Sequence, residues 1–443
     1  MTQKKLTTGP VARTMFFFAL PMILGNFLQQ AYNVVDTWVV GHFAGSGALA
    51  AVGSAFTLMT FLTSILLGLC MGSGIVFSLC FGKQDTQKLE YSICSSFLLI
   101  LVIAVILTVL VLSGMDWIIA WLNIPREITG PSRSYLYLVF WGIPAVALYN
   151  YFCAYLKALG NSVTPLLFLA VSTIVNIVLD LLFVAKLHQG TFGAAAATMI
   201  SQYIAGFGIG IYAFRTNNTL RKAFCRFQIK RDSLYEILNY SVLTCMQQSV
   251  MNLGILMVQG LVNSFGTAVM AASAAAVKID AFTYMPLQEY ANAFSTFIAQ
   301  NAGAGQTARI RGGIRHAAAT VVAYSLSAAV LLWFLAKPLM HVFIDAQETA
   351  ILTEGVRYLH TICPFYFGIG CLFLFYGLFR ALGKPAVSVV LTVISLGTRV
   401  ALAYTLSAVS GVGVAGIWWS IPIGWMLADL AGILFYRKVE FSI

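Results

Sequence analysis

Charge is scarce in this sequence. Only 9% of its 443 residues are charged and 60% are apolar, whereas a soluble domain carries about 25% charged residues. The 26 Lys and Arg and 15 Asp and Glu are few enough for the loops alone to hold them. Such a chain has too little polar surface to meet water, so its solvent is lipid. That excludes a soluble enzyme, a disordered chain and a nucleic-acid partner. The net charge of +11 comes from short blocks of cations between apolar runs, the distribution of orientation signals.

Other absences narrow the field further. The eight cysteines form no C-x-x-C pair and mostly fall inside apolar runs, as packed free thiols do, so neither zinc nor a disulfide framework is expected. No H-E-x-x-H, Walker loop or nucleophile elbow occurs. The chain is read as neither an enzyme nor an ATPase, with no structural metal or cofactor, and its energy source as an ion gradient. Gly411 to Gly416 fits G-x-G-x-x-G but follows no strand, so a turn or close packing explains it. No small-residue cleavage site follows the first apolar stretch; it is read as a retained membrane helix.

What is present is a series of long uncharged runs. They predict an all-α polytopic protein with about twelve transmembrane helices, near 14–40, 53–81, 90–113, 133–156, 163–186, 191–214, 234–262, 267–300, 314–336, 354–379, 386–409 and 413–436. Lys and Arg divide nineteen to five between the two sides, with Lys278 and Arg399 inside helices. The cation-rich side is cytoplasmic, which puts both termini inside. The polar segment 215–233 reads as a cytoplasmic linker between an amino-terminal six-helix half, 1–214, and a carboxy-terminal one, 234–443.

The halves repeat. Lys157-Ala158-Leu159-Gly160 matches Arg380-Ala381-Leu382-Gly383 at an offset of 223, and Tyr135-Leu136 matches Tyr358-Leu359 at the same offset. Gly47 to Ala51 matches Thr267 to Ala271 at 220, and Gly82 to Thr86 matches Gly303 to Thr307 at 221. An even number of helices per half gives parallel repeats related by an axis along the membrane normal, a transporter architecture.

The informative residues are charges placed where lipid penalises them: Asp36, Asp180, Lys278, Asp280, Glu289, Arg399 and Asp429. Asp36 and Asp180 lie roughly 8–9 Å below the outer boundary of their helices, and Thr198 roughly 10 Å below its own. Asn176 is one turn from Asp180 on the same face. These oxygen donors suit a proton shared between carboxylates, or a hard cation such as sodium. Snorkelling or structural polar residues are the alternative. The second half lacks the set: Leu256, Ala403 and Arg399 stand at the positions of Asp36, Asp180 and Asn176. Glu289 either neutralises Lys278 or Arg399, or lines a cavity for a cationic solute. Asp429 is expected to pair structurally. Gln29, Tyr32 and Asn33 form a polar stripe with Asp36, and Gln248, Asn252 and Gln259 form another. Both stripes, with Asn150, either wall a central cavity or hydrogen-bond between helices. Pro21 and Pro144 each permit a kink.

The sequence resembles the multidrug and toxic compound extrusion (MATE) family, in its DinF/MepA-like branch. The resemblance rests on Pro21-Met22-Ile23-Leu24-Gly25-Asn26 through Val35-Asp36-Thr37, on the paired K/R-A-L-G motifs, and on Asn176-Ile177-Val178-Leu179-Asp180. It implies two six-helix bundles around a central cavity that opens alternately to either side. It also implies export of bulky, often cationic and amphipathic compounds in exchange for protons or sodium. By position it makes Asp36, Asn176, Asp180 and Thr198 an ion-coupling site, with Tyr135 beside it and Pro21 at the bend of the first helix. The expected setting is a bacterial inner (plasma) membrane, with lipid and small organic substrates as partners and a single chain as the working unit. Two other readings stay open: a flippase for a lipid-linked saccharide, and an exporter of an endogenous metabolite.

Overall fold

The computed structural model describes residues 5–44, 46–121 and 129–440; Lys4 and Arg126, two of the counted cations, lie outside them. The described residues contain helices and turns and no strand. Twelve helices are long and apolar enough to cross a membrane. They are α1 (Val11–Phe43), α2 (Ser46–Lys83), α3 (Thr86–Ser113), α4 (Thr129–Ala158), α5 (Val163–Lys186), α6 (Gly190–Thr216), α7 (Arg231–Asn263), α8 (Thr267–Gly303), α9 (Thr307–His341), α10 (Thr349–Ala381), α11 (Pro385–Ser407) and α12 (Val414–Glu440). The expected twelve spans are therefore all present.

The helices are built for lipid. On α3, Leu101, Val105, Ile106, Val109 and Leu110 are exposed while Ser92, Ser95 and Ser96 are buried. Water would reverse that arrangement; in lipid, small polar residues serve helix contacts and apolar ones face outward. Gly68 and Gly72 act the same way on α2. A Cβ on either would lie 2.5 Å from the backbone of Cys245 or Ser241 on α7.

The chain forms two compact units. One comprises Met1–Lys5 and Leu20–Cys245, the other Leu6–Ala19 and Met246–Ile443. The first helix is thus divided between Ala19 and Leu20, beside Pro21, through which α1 runs without a break. Within the second unit the amino-terminal segment is held by Arg309. Its guanidinium donates to the carbonyls of Leu6 (3.1 Å), Thr8 (3.3 Å) and Gly9 (2.7 Å).

The internal repeat extends to backbone conformation. The K/R-A-L-G motifs end α4 and α10 with a left-handed glycine, Gly160 at φ +82° and Gly383 at φ +81°. After each, an amide reaches back five residues: Asn161 N–H to the Leu156 carbonyl and Lys384 N–H to that of Phe379. This is the Schellman closure, which favours glycine at the left-handed position. Gln84 and Gly305 (φ +58° and +68°) form a second such pair at an offset of 221. His188 and Gly190 match Gly411 and Gly413 at 223, all four left-handed; that turn accounts for the G-x-G-x-x-G string. The spans α4 and α10 are also broken at equivalent places, at Gly142 and at the 3-10 turn Cys363–Phe365.

Two short helices, Met115–Trp121 and Asn218–Arg226, lie between spans. The second falls within the 215–233 segment. It buries Leu220 and Ala223 and exposes Arg221, Lys222 and Arg226, so the segment is a docked amphipathic helix rather than open loop.

Candidate ion-coupling site

The first unit brings four of its helices to one buried polar cluster. Asp36 comes from α1, Tyr135 from α4, Asn176 and Asp180 from α5, and Thr198 from α6. Asp180 is 0% exposed and Asn176 1%. The carboxyl groups of Asp36 and Asp180 are neighbours close enough to interact side chain to side chain. Neither is ion-paired to a Lys or Arg among the described residues. Two carboxylates this close cannot both be ionised cheaply, so one proton or one small cation belongs between them.

The surrounding groups hold this pair in register. With its amide oriented to satisfy its neighbours, Asn176 donates to Asp180 Oδ2 at 2.8 Å and accepts from the Thr198 backbone N–H at 3.3 Å. Tyr32 and Thr198 hydroxyls are 3.4 Å apart, and Tyr135 is buried within electrostatic range of Asp36, Asp180 and Tyr32. Oδ1 of Asp36 and Oδ1 of Asp180 are both buried with no hydrogen-bond partner. Unmade bonds on two buried carboxyl oxygens leave lone pairs for an incoming ion.

A backbone feature fixes the position of Asp180. It ends the α-helical part of α5, and Leu181–Lys186 continue as a π-helix. The Leu187 N–H reaches the Leu182 carbonyl, and the Gln189 N–H that of Phe183. Widened turns of this kind recur at functional sites. Nothing in the string LLFVAK announces it.

Comparison with known proteins places the chain in a family. A family model described as MatE matches residues 21–182 and again 242–405, once in each half and together most of the chain. The chain belongs to the MatE family. It is therefore a multi-pass membrane transporter and not an enzyme. The chain is 28% identical to the probable multidrug resistance protein YpnP of Bacillus subtilis strain 168, over 97% of this chain and 96% of that one. It is 22% identical to the multidrug export protein MepA of Staphylococcus haemolyticus, over 93% and 90%. A crystal structure of MATE in the bent conformation superposes with a TM-score of 0.93 at 22% identity, over 100% and 98%.

The remaining candidate residues of this MatE chain fall into three groups. Tyr32 reaches the acid cluster through the Thr198 hydroxyl. Gln29 is exposed, and Asn33 and Gln248 lie at intermediate and low exposure. Asn150 and Asn252 donate to carbonyls of their own helices, Val146 and Gln248, and Gln259 donates to Asn263 one turn on. Those three bonds stay within a helix and join no two helices.

The charged residues of the second unit need correcting. Glu289 forms no ion pair with Lys278 or Arg399 among the described residues; its Oε1 accepts from Asn292 at 3.3 Å. Lys278 is exposed. Asp429 is 7% exposed and has an Oδ1 without a hydrogen-bond partner, and it forms no ion pair among the described residues, contrary to the expected structural pairing. Asp280, an intramembrane charge to which the sequence assigns no role, has hydrogen-bond partners on another helix. Its Oδ1 accepts from the Tyr366 hydroxyl at 2.6 Å and its Oδ2 from that of Tyr358 at 3.4 Å.

Proposed function

We propose that this transporter is a secondary active antiporter. It exports bulky, often cationic and amphipathic compounds in exchange for protons, by alternating access across the plasma membrane with both termini cytoplasmic. The halves 1–214 and 234–443 are the moving repeats, joined by 215–233. The observation that carries this reading is the close approach of the Asp36 and Asp180 carboxyls in a polar cluster, with no Lys or Arg ion-paired to either among the described residues. The names of the relatives, multidrug export and multidrug resistance proteins, support the substrate class.

The mechanism follows from charge. With the site filled, α1 loses its negative charge at Asp36 and bends at Pro21, whose missing amide removes one helix hydrogen bond. With the site empty, the negative charge attracts a cationic drug. Ion and drug then bind competitively, and the reciprocity of that coupling makes exchange obligatory. Exchange of one proton for one monovalent cation moves no net charge. It is driven by the pH gradient alone, about 1.4 kcal/mol or tenfold accumulation per pH unit. A second proton would add the membrane potential, about 2.3 kcal/mol per 100 mV. Sodium at Asp36, Asn176, Asp180 and Thr198 is the alternative ion for the same oxygens.

The test is dye uptake into inverted proteoliposomes with imposed gradients. A pH gradient should drive uptake at fixed sodium. Uptake driven by sodium alone at fixed pH would overturn the proton assignment, and uptake driven by neither would overturn antiport.

A further inference from the structure

The second unit contains its own version of the buried cluster, and one substitution changes its chemistry. At the constant offset of 223, Tyr135 becomes Tyr358, Asn176 becomes Arg399 and Asp180 becomes Ala403. The register is sound, because the Gly160–Gly383 turns immediately before α5 and α11 share both offset and backbone conformation. In the first unit the amide of Asn176 steadies an acid one turn along its own helix. In the second unit that position is the fully buried Ala403, and the acid arrives instead from α8 as Asp280. Tyr358, the counterpart of Tyr135, hydrogen-bonds that acid.

Arg399 completes the cluster. It lies in electrostatic range of Asp280, Tyr358 and Tyr284 without closing to a contact ion pair among the described residues, and its Nε is buried without a hydrogen bond. A backbone approach holds its stem in place: a Cβ on Gly424 of α12 would meet Arg399 Cβ at 3.4 Å and the Ser395 carbonyl at 2.5 Å. After Ala403, α11 runs on as ordinary α-helix to Ser407, without the π-helical turn that follows Asp180.

We infer that Arg399 is a built-in cation: its guanidinium takes the role in the second unit that an exchangeable ion takes in the first, balancing Asp280 permanently. A guanidinium cannot leave its site and does not release its proton in the working range. The second cluster is thus electrically closed, and ion exchange is confined to the first unit. The duplication produced two ion pockets, of which one is plugged by its own side chain. The inference rests on the ion-coupling reading of Asp36 and Asp180.

The test counts ions on the purified full chain, by potentiometric titration and by sodium binding. Wild type and Arg399→Lys, which keeps the charge, should show one class of exchangeable ion, abolished by Asp180→Asn. Arg399→Asn, which restores the residue of the first unit, should gain a further bound proton or sodium ion. That gain should persist with Asp180→Asn and vanish with Asp280→Asn. A folded Arg399→Asn protein that gains nothing would overturn the inference. If Asp180→Asn leaves wild-type binding intact, the first-unit reading fails, while the Asp280-dependent gain is still scored separately. Should Arg399→Asn fail to fold, the infrared difference between wild type and Asp280→Asn decides. Loss of an ionised carboxylate band is expected, and loss of a protonated carboxyl band at neutral pH would refute the plug.

Discussion

Replacing Asp180 with asparagine removes a proton-binding oxygen while changing almost no volume. Asp180 Oδ2 accepts from Asn176 at 2.8 Å, and an asparagine carbonyl at the same place keeps that bond. The structural cost is then one altered contact, about 1 kcal/mol, too little to unfold a protein whose helices are held by lipid and packing. The functional cost is larger. Wild type should accumulate a cationic dye about tenfold for each pH unit across the membrane, equivalent to about 1.4 kcal/mol. The variant, whose site has no proton to exchange, should accumulate none above the leak. Dye uptake into inverted proteoliposomes, normalised to reconstituted protein, measures both. Retention of the tenfold gradient by Asp180→Asn at equal reconstitution would refute the reasoning, because the carboxyl pair would then be structural.

Other expectations are separable from this one. Asp36→Asn should match the Asp180 variant in transport while keeping a normal detergent melting profile; full efflux with either substitution removes the site from the mechanism. Gly72→Val, whose Cβ would sit 2.5 Å from Ser241 Cα, should cost more than about 2 kcal/mol through overpacking, seen as lost expression and lowered Tm. Gly160→Ala and Gly383→Ala each force a side chain into left-handed backbone and should cost about 1–2 kcal/mol, read by thermal melts; a neutral result at both would undercut the turn argument. Cys225, exposed on the short helix between the halves, should resist membrane-impermeant maleimide added to intact cells and react after permeabilisation. Labelling from outside would invert the topology.

Depth was legible in the sequence and lateral pairing was not, for a physical reason. Helical rise is fixed, so counting residues from the outer ends of their spans puts Asp36 and Asp180 at one level. A four-residue spacing fixed Asn176 on the face of Asp180. Tyr32 was assigned to a cavity stripe because its contact, Thr198, lies on another helix, and no spacing within α1 encodes that. For Glu289 the choice between Lys278, Arg399 and a cavity stays open in the sequence for the same reason: a charge is visible there and its direction is not. The repeat was legible as four short matches. Its physical content, left-handed residues at equivalent turns, was hidden because Gln84 and His188 adopt a conformation their side chains do not advertise. The π-helical turn after Asp180 has no composition of its own.

Proton release on drug binding is the measurement closest to the central claim. In weakly buffered detergent solution, a saturating cationic drug should displace about one proton per transporter from the wild-type protein, as competition at a shared carboxyl pair requires. The Asp36→Asn/Asp180→Asn double variant should release none. No proton release from wild type, or equal release from the double variant, would contradict the account.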